Sequence, residues 1–174
     1  MTDEDQSPVR DTFDSHAAFE PRDGRFDYVK TPFDATVTVD ETDDAGEETY
    51  HVIVSVRVPT LDAVVAGETV ADVIEDGWYE TFERRLEDAF DVARSDGDPP
   101  AVERGADDEV IVELSFETEA AGRVVEDAAA LVEYVEGTYV QGVVPGYDYL
   151  DPVAGLLDRA RQAAEEPERG GSGR

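Results

Sequence analysis

The segment TYHVIVSVRVP, residues 49–59, decides how this chain folds. In it Tyr50, Val52, Val54, Val56 and Val58 alternate without a break with His51, Ile53, Ser55 and Arg57. Successive side chains of a strand point to opposite faces, so this pattern specifies a strand with one apolar and one mixed, half-solvated face. Immediately upstream, TPFDATVTVD (residues 31–40) repeats it: Phe33, Ala35, Val37 and Val39 face one way, and Asp34, Thr36, Thr38 and Asp40 the other. The acidic stretch between them, residues 41–48, reads as a solvated loop. The two runs therefore form a hairpin whose apolar faces must be covered by something else.

Working outward, Phe26 and Tyr28 alternate in residues 25–30, after turn chemistry at residues 21–24. Residues 101–104 read as a short strand, and residues 109–117 place Val110, Val112, Leu114 and Phe116 on one face. That makes about five strands. Helical spacing governs the remaining apolar segments. Ser7-Pro8 opens a short helix carrying Val9 and Phe13, and residues 78–94 align Tyr79, Phe82, Leu86, Ala89, Phe90 and Ala93 in one stripe. Thr118 reads as the cap of a helix running to Gly137, and Asp151-Pro152 as the start of a last helix ending near Ala164. Residues 59–77 fit a short helix or a docked loop, and residues 139–149, broken by Gly142, Pro145 and Gly146, read as a packed loop. The expectation is one α+β domain over residues 7–164: a mostly antiparallel sheet with helices on one face and a C-terminal helix. Residues 1–6 and the Gly-rich end, 165–174, read as disordered.

Composition says more about solvent than about chemistry. The chain carries 44 acidic and 14 basic residues for a formal net charge of -30, and Lys30 is its sole lysine. In dilute buffer such a charge pushes a compact state apart, whereas at 1 M salt the Debye length falls to about 3 Å and the repulsion fades. A high-salt cytosol is the expected setting. With 40% hydrophobic residues in periodic segments, the acids clothe a folded domain and do not form a disordered tail. Zero cysteines exclude disulfides, thiolate metal sites and thiol catalysis by this chain. No apolar run approaches the roughly 18 residues of a membrane span, and the acidic beginning carries no export signal, so a cytoplasmic location is expected.

Few residues stand out as chemical candidates. His16 and His51 lie far apart and lack ligand spacing. Carboxylate pairs such as Asp43-Asp44 and Glu126-Asp127 arise by number alone in so acidic a chain, so loosely held surface cations are expected and no dedicated metal site or cofactor. None of the serines sits in a nucleophile elbow, and no glycine-rich phosphate loop is present. A basic stripe for nucleic acid is missing too. What breaks the acidic rule is the pair Arg84-Arg85, the neighbouring Trp78, and the sparsely charged aromatic segment with Tyr139, Tyr147 and Tyr149. These six are the candidate ligand or partner contacts, since tyrosine on a Gly/Pro-shaped loop offers apolar area and a hydroxyl in one rigid group.

The stretches TPFDATVTVD (31–40), EDGWYETFERRLEDAFDV (75–92) and YVEGTYVQGVVPGYDYLDPVAGLL (134–157) resemble an uncharacterised haloarchaeal family, a domain of unknown function. That resemblance implies a salty cytosol and no catalytic residues. The order of elements also resembles the type III secretion chaperone-like and YbjN-like fold, which implies dimerisation and binding of protein segments. A non-enzymatic domain that binds a protein partner or itself is the leading expectation. A small-molecule binder or enzyme with a carboxylate and tyrosine pocket is the alternative.

Overall fold

Phe26, Val37, Val54 and Leu114 face one another across four neighbouring strands, and this buried row is the axis of the molecule. The computed structural model describes residues 8–44 and 46–171, without the side chains of Asp44 and residues 165–171; the expectation for residues 1–6 lies outside them. The strands are β1 (Phe19–Arg22), β2 (Arg25–Tyr28), β3 (Asp34–Asp44), β4 (Glu47–Pro59), β5 (Ala101–Arg104) and β6 (Glu109–Thr118). They pair antiparallel throughout in the order β1-β2-β3-β4-β6-β5. The helices are α1 (Pro8–Asp14), α2 (Asp72–Leu86), α3 (Ala121–Gln141) and α4 (Val153–Gly171). The fold is α+β, as the alternation in β3, β4 and β6 requires.

The sheet has six strands where the sequence suggested about five. The extra one, β1, contains Pro21, which reads as turn chemistry but is tolerated on an edge strand because no ladder bond is lost there. The turn itself is only Asp23-Gly24, both with positive φ (49° and 84°), the conformation that a two-residue hairpin demands. It sets Arg22 opposite Arg25 and Phe19 opposite Tyr28.

Five helix boundaries also differ from the sequence reading. α3 runs through Gly137 to Gln141 because Thr138 and Tyr139 are buried against the body, and the Tyr139 hydroxyl donates to the Pro59 carbonyl at 3.0 Å. Tertiary burial outweighs glycine's roughly 1 kcal/mol helix penalty. Thr118 belongs to β6, and its hydroxyl accepts from the Ala120 N–H, one step before the helix. The ambiguous segment 59–77 is both things at once: a 3-10 turn at Asp62–Val64, a loop, and the start of α2 at Asp72. The Glu75 carboxylate ties them, accepting from the N–H groups of Leu61 and Asp62. α2 stops at Leu86, and the expected continuation to Arg94 is a separate 3-10 turn, Ala89–Val92. α4 continues past Ala164 to Gly171, over most of the segment read as a disordered end.

The helices share one side of the sheet. Val52, Val54, Val56 and Val58 of β4, and Val110, Val112 and Leu114 of β6, are buried beneath them, while the alternating residues of the same strands are half-buried or exposed. Aromatic rings fill the two ends of this core. At one, Phe13 of α1 stacks on Phe26 with centroids 4.0 Å apart and meets the edge of Phe19. At the other, Tyr139 is wedged among Phe33, Trp78 and Phe82.

Candidate functional site

Among the described residues no helix lies over the opposite face of the sheet. Its middle is made by Thr36 and Thr38 of β3, Ser55 and Ile53 of β4, and Ile111 and Ser115 of β6. Thr36 pairs with Ser55 and Thr38 with Ile53, so short hydroxyl and branched side chains form a level surface. Charges stand around it. Arg57 pairs with Glu109 at 3.2 Å, Arg22 with Asp27 at 3.2 Å, and His51 Nδ1 lies 3.3 Å from Glu117, while one acid, Glu113, stands exposed within the surface, opposite Ser55 and between Ile111 and Ser115. Where the segment 96–98 rises beside β6, Ser115 donates to Asp98 and a polar recess of about 540 Å³ forms against His51 and Asp40. Among the described residues no three His, Asp or Glu side chains converge as a metal site.

Both sheet edges are blunted. Pro21 lies on β1. Over β5, the Tyr79 hydroxyl of α2 donates to the Val102 carbonyl at 3.1 Å, and Arg104 lies 4.3 Å above the Tyr79 ring while reaching Asp76 at 2.9 Å. These contacts occupy an edge that would otherwise invite strand addition.

The six residues singled out by sequence do not gather in one place. Trp78 and Tyr139 are core residues, stacked and edge-on in the aromatic end, and burial raises the Tyr139 hydroxyl far above its ordinary value. The Trp78 indole N–H is buried with no acceptor among the described residues. Arg84 and Arg85 are exposed on the last turn of α2. The Arg85 guanidinium lies by Gly142 at the C-terminal end of α3, where the helix dipole favours a cation. The Tyr134 hydroxyl of α3 in turn donates to the Arg85 carbonyl at 2.9 Å.

Tyr147 and Tyr149 do share a site. They line an open cleft of about 490 Å³ between the loop after α3 and the first turns of α4, with Val143, Val144, Pro145 and Leu157. Their rings meet edge-on, and the Tyr149 hydroxyl donates to the Val144 carbonyl, which folds the loop on itself. A small antiparallel bridge fixes it to the body: Tyr149 opposite Val65, Leu150 N–H on the Val64 carbonyl and Ala66 N–H on that of Asp148. At the mouth, Arg161 and Asp158 pair with each other. The uncharged face residues were not singled out from sequence, although the signal was present: outward strand positions that lack an acid in a chain of 44.

No helix among the described residues is long and apolar enough to cross a membrane. No curated protein and no solved structure matches the chain. Residues 14–159 match a protein family described as a family of unknown function, DUF5813. The match takes in every strand and α2 and α3, from just after α1 into the first turns of α4, and the chain belongs to that family.

Proposed function

We propose that this chain is a non-catalytic, salt-adapted cytosolic domain that binds a protein partner or a second copy of itself through the uncovered face of its sheet. The observation that carries this reading is the uncharged cluster of Thr36, Thr38, Ile53 and Ser55, bordered on β6 by a single acid, Glu113, in a chain of net charge -30. Burying a charge without a partner is costly, so a face meant to be dehydrated must be cleared of acids, while a face meant for brine need not be. The ion pairs around the centre supply the polar rim common to interfaces. Sedimentation in molar KCl tests it, alone and with proteins crosslinked to this face. A dimer or a defined complex that Ile53→Glu dissolves, with the circular dichroism of the fold retained, is expected; a parent protein that stays monomeric and captures nothing through this face ends the reading.

The tyrosine cleft favours a second reading, a small-molecule site, because two rigid rings and a Gly/Pro-shaped loop frame an apolar recess. Fragment titrations followed by amide NMR check it: saturable shifts at Gly146 and Tyr147 that vanish in Tyr147→Ala support this reading, and their absence removes it.

A further inference from the structure

α3 begins without a cap. Ala120 offers no side-chain hydrogen bond to the first turn, which carries Arg123 and no acid; the Ala120 N–H donates to Thr118 Oγ1 and the Arg123 N–H to the Ala120 carbonyl, so the N–H groups without an acceptor among the described residues are those of Ala121 and Gly122. The first N–H groups of a helix lack intrahelical acceptors and form the positive end of its dipole, so an arginine there is out of place unless something negative joins it. Gly122 leaves this backbone open, since a Cβ on it would meet nothing within 4 Å.

A cleft of about 660 Å³ lies over that turn, lined by Arg94, Ser95, Thr118 and Arg123. Ser95 is only 6% exposed, and its hydroxyl has no hydrogen-bond partner among the described residues. The loop holding it is firmly placed, because both oxygens of the buried Asp127 carboxylate accept backbone N–H groups, from Arg94 and from Ser95, each at 3.0 Å. A positioned, buried and unsatisfied hydroxyl is a cost that a ligand oxygen would remove. Arg94 and Arg123 are exposed and form no ion pair among the described residues.

We propose that this cleft binds a small tetrahedral oxyanion, free phosphate or a phosphate monoester, on the Ala121 and Gly122 N–H groups beside it, the Ser95 hydroxyl and the Arg94 and Arg123 guanidiniums. Helix N-termini and arginine forks are the two commonest ways a protein holds such an anion. Asp96, Glu117 and Glu119 also line the cleft, so its two arginines face three carboxylates. Their repulsion acts over distance and is screened at about 3 Å in 1 M salt, whereas direct donor contacts survive. The site therefore belongs to a protein working in concentrated salt.

Amide NMR in molar KCl, with inorganic phosphate and glycerol phosphate as probes, tests the assignment. Saturable shifts at Ser95, Ala121 and Gly122 are expected, equal for the two probes if the free anion is the ligand and tighter for the ester if a monoester is. Arg123→Glu should abolish binding, and Ser95→Ala should weaken it roughly tenfold, the loss of one hydrogen bond to a charged group. Both substitutions leave Asp127 and its backbone contacts in place, and the dispersion of each spectrum reports whether the fold is retained. Absence of saturation with both probes, or folded variants that titrate like the parent, would overturn the proposal.

Discussion

At the scale of single residues, the tyrosines reveal how this acidic chain stabilises its interior. Burial, then a hydrogen bond to Glu133, pushes the Tyr28 hydroxyl up from its ordinary 10.0, and burial does the same to Tyr139. Both changes mean that the folded state holds the neutral phenol more tightly than the unfolded chain does. Their contribution is complete below pH 10, the unfolded value, and is lost as the pH climbs toward the folded values. Unfolding by urea in molar KCl should therefore show a midpoint that falls above pH 10, and Tyr28→Phe should flatten part of that fall; a midpoint unchanged through that range would contradict the burial of these phenols. Sequence pattern placed Tyr28 inward on its strand, but Tyr139 was read as part of a loop. Its burial comes from Phe33, Trp78 and Phe82, residues brought to it from two other segments, the approach to β3 and α2.

Among the elements, the centres of the long strands were legible, whereas β1, the strand ends within residues 41–48 (read as a loop) and the helix ends were not. A strand writes its burial into neighbouring positions, so β3, β4 and β6 follow directly from alternation. Helix boundaries depend on what lies opposite, as α3 demonstrates by continuing over Gly137. That glycine sits in the helix interior with nothing within 4 Å of an added Cβ. Gly137→Ala should raise stability by about 0.5–1 kcal/mol, through a helix-favouring side chain and a less free unfolded chain. Thermal unfolding in molar KCl measures it, and a lowered midpoint would mean that the space beside Gly137 is needed. α2 and the 3-10 turn after it show the reverse case. The apolar spacing of residues 78–94 continues past Leu86, yet the backbone breaks there, and nothing in the local pattern announces the break.

Over the whole molecule, the quantity to test is charge. A net charge of -30 on one small domain is opposed in dilute buffer only by packing, because repulsion reaches across about 10 Å at 0.1 M salt and about 3 Å at 1 M. Full helical and strand circular dichroism in molar KCl, with loss of structure on dialysis to low salt, is the expected behaviour; an unchanged spectrum in dilute buffer would show that packing alone suffices. The same charge locates the exceptions. The uncharged cluster on the sheet and the uncapped start of α3 are conspicuous because the rest of the surface is acidic, and neither place was visible as a patch in the linear chain.

By itself the sequence determined the fold class, the inward faces of the main strands and the exclusion of cysteine chemistry, since each follows from neighbouring positions or from totals. Tertiary structure alone decided that Trp78 and Tyr139 belong to the core, that Arg85 lies by the end of α3, and that Tyr147 and Tyr149 share a cleft. It also decided that Ser95, Arg94 and Arg123 meet at one helix start. Those outcomes depend on contacts between segments far apart in the chain, and the free energy of such contacts is set by which faces meet, a quantity no local pattern contains.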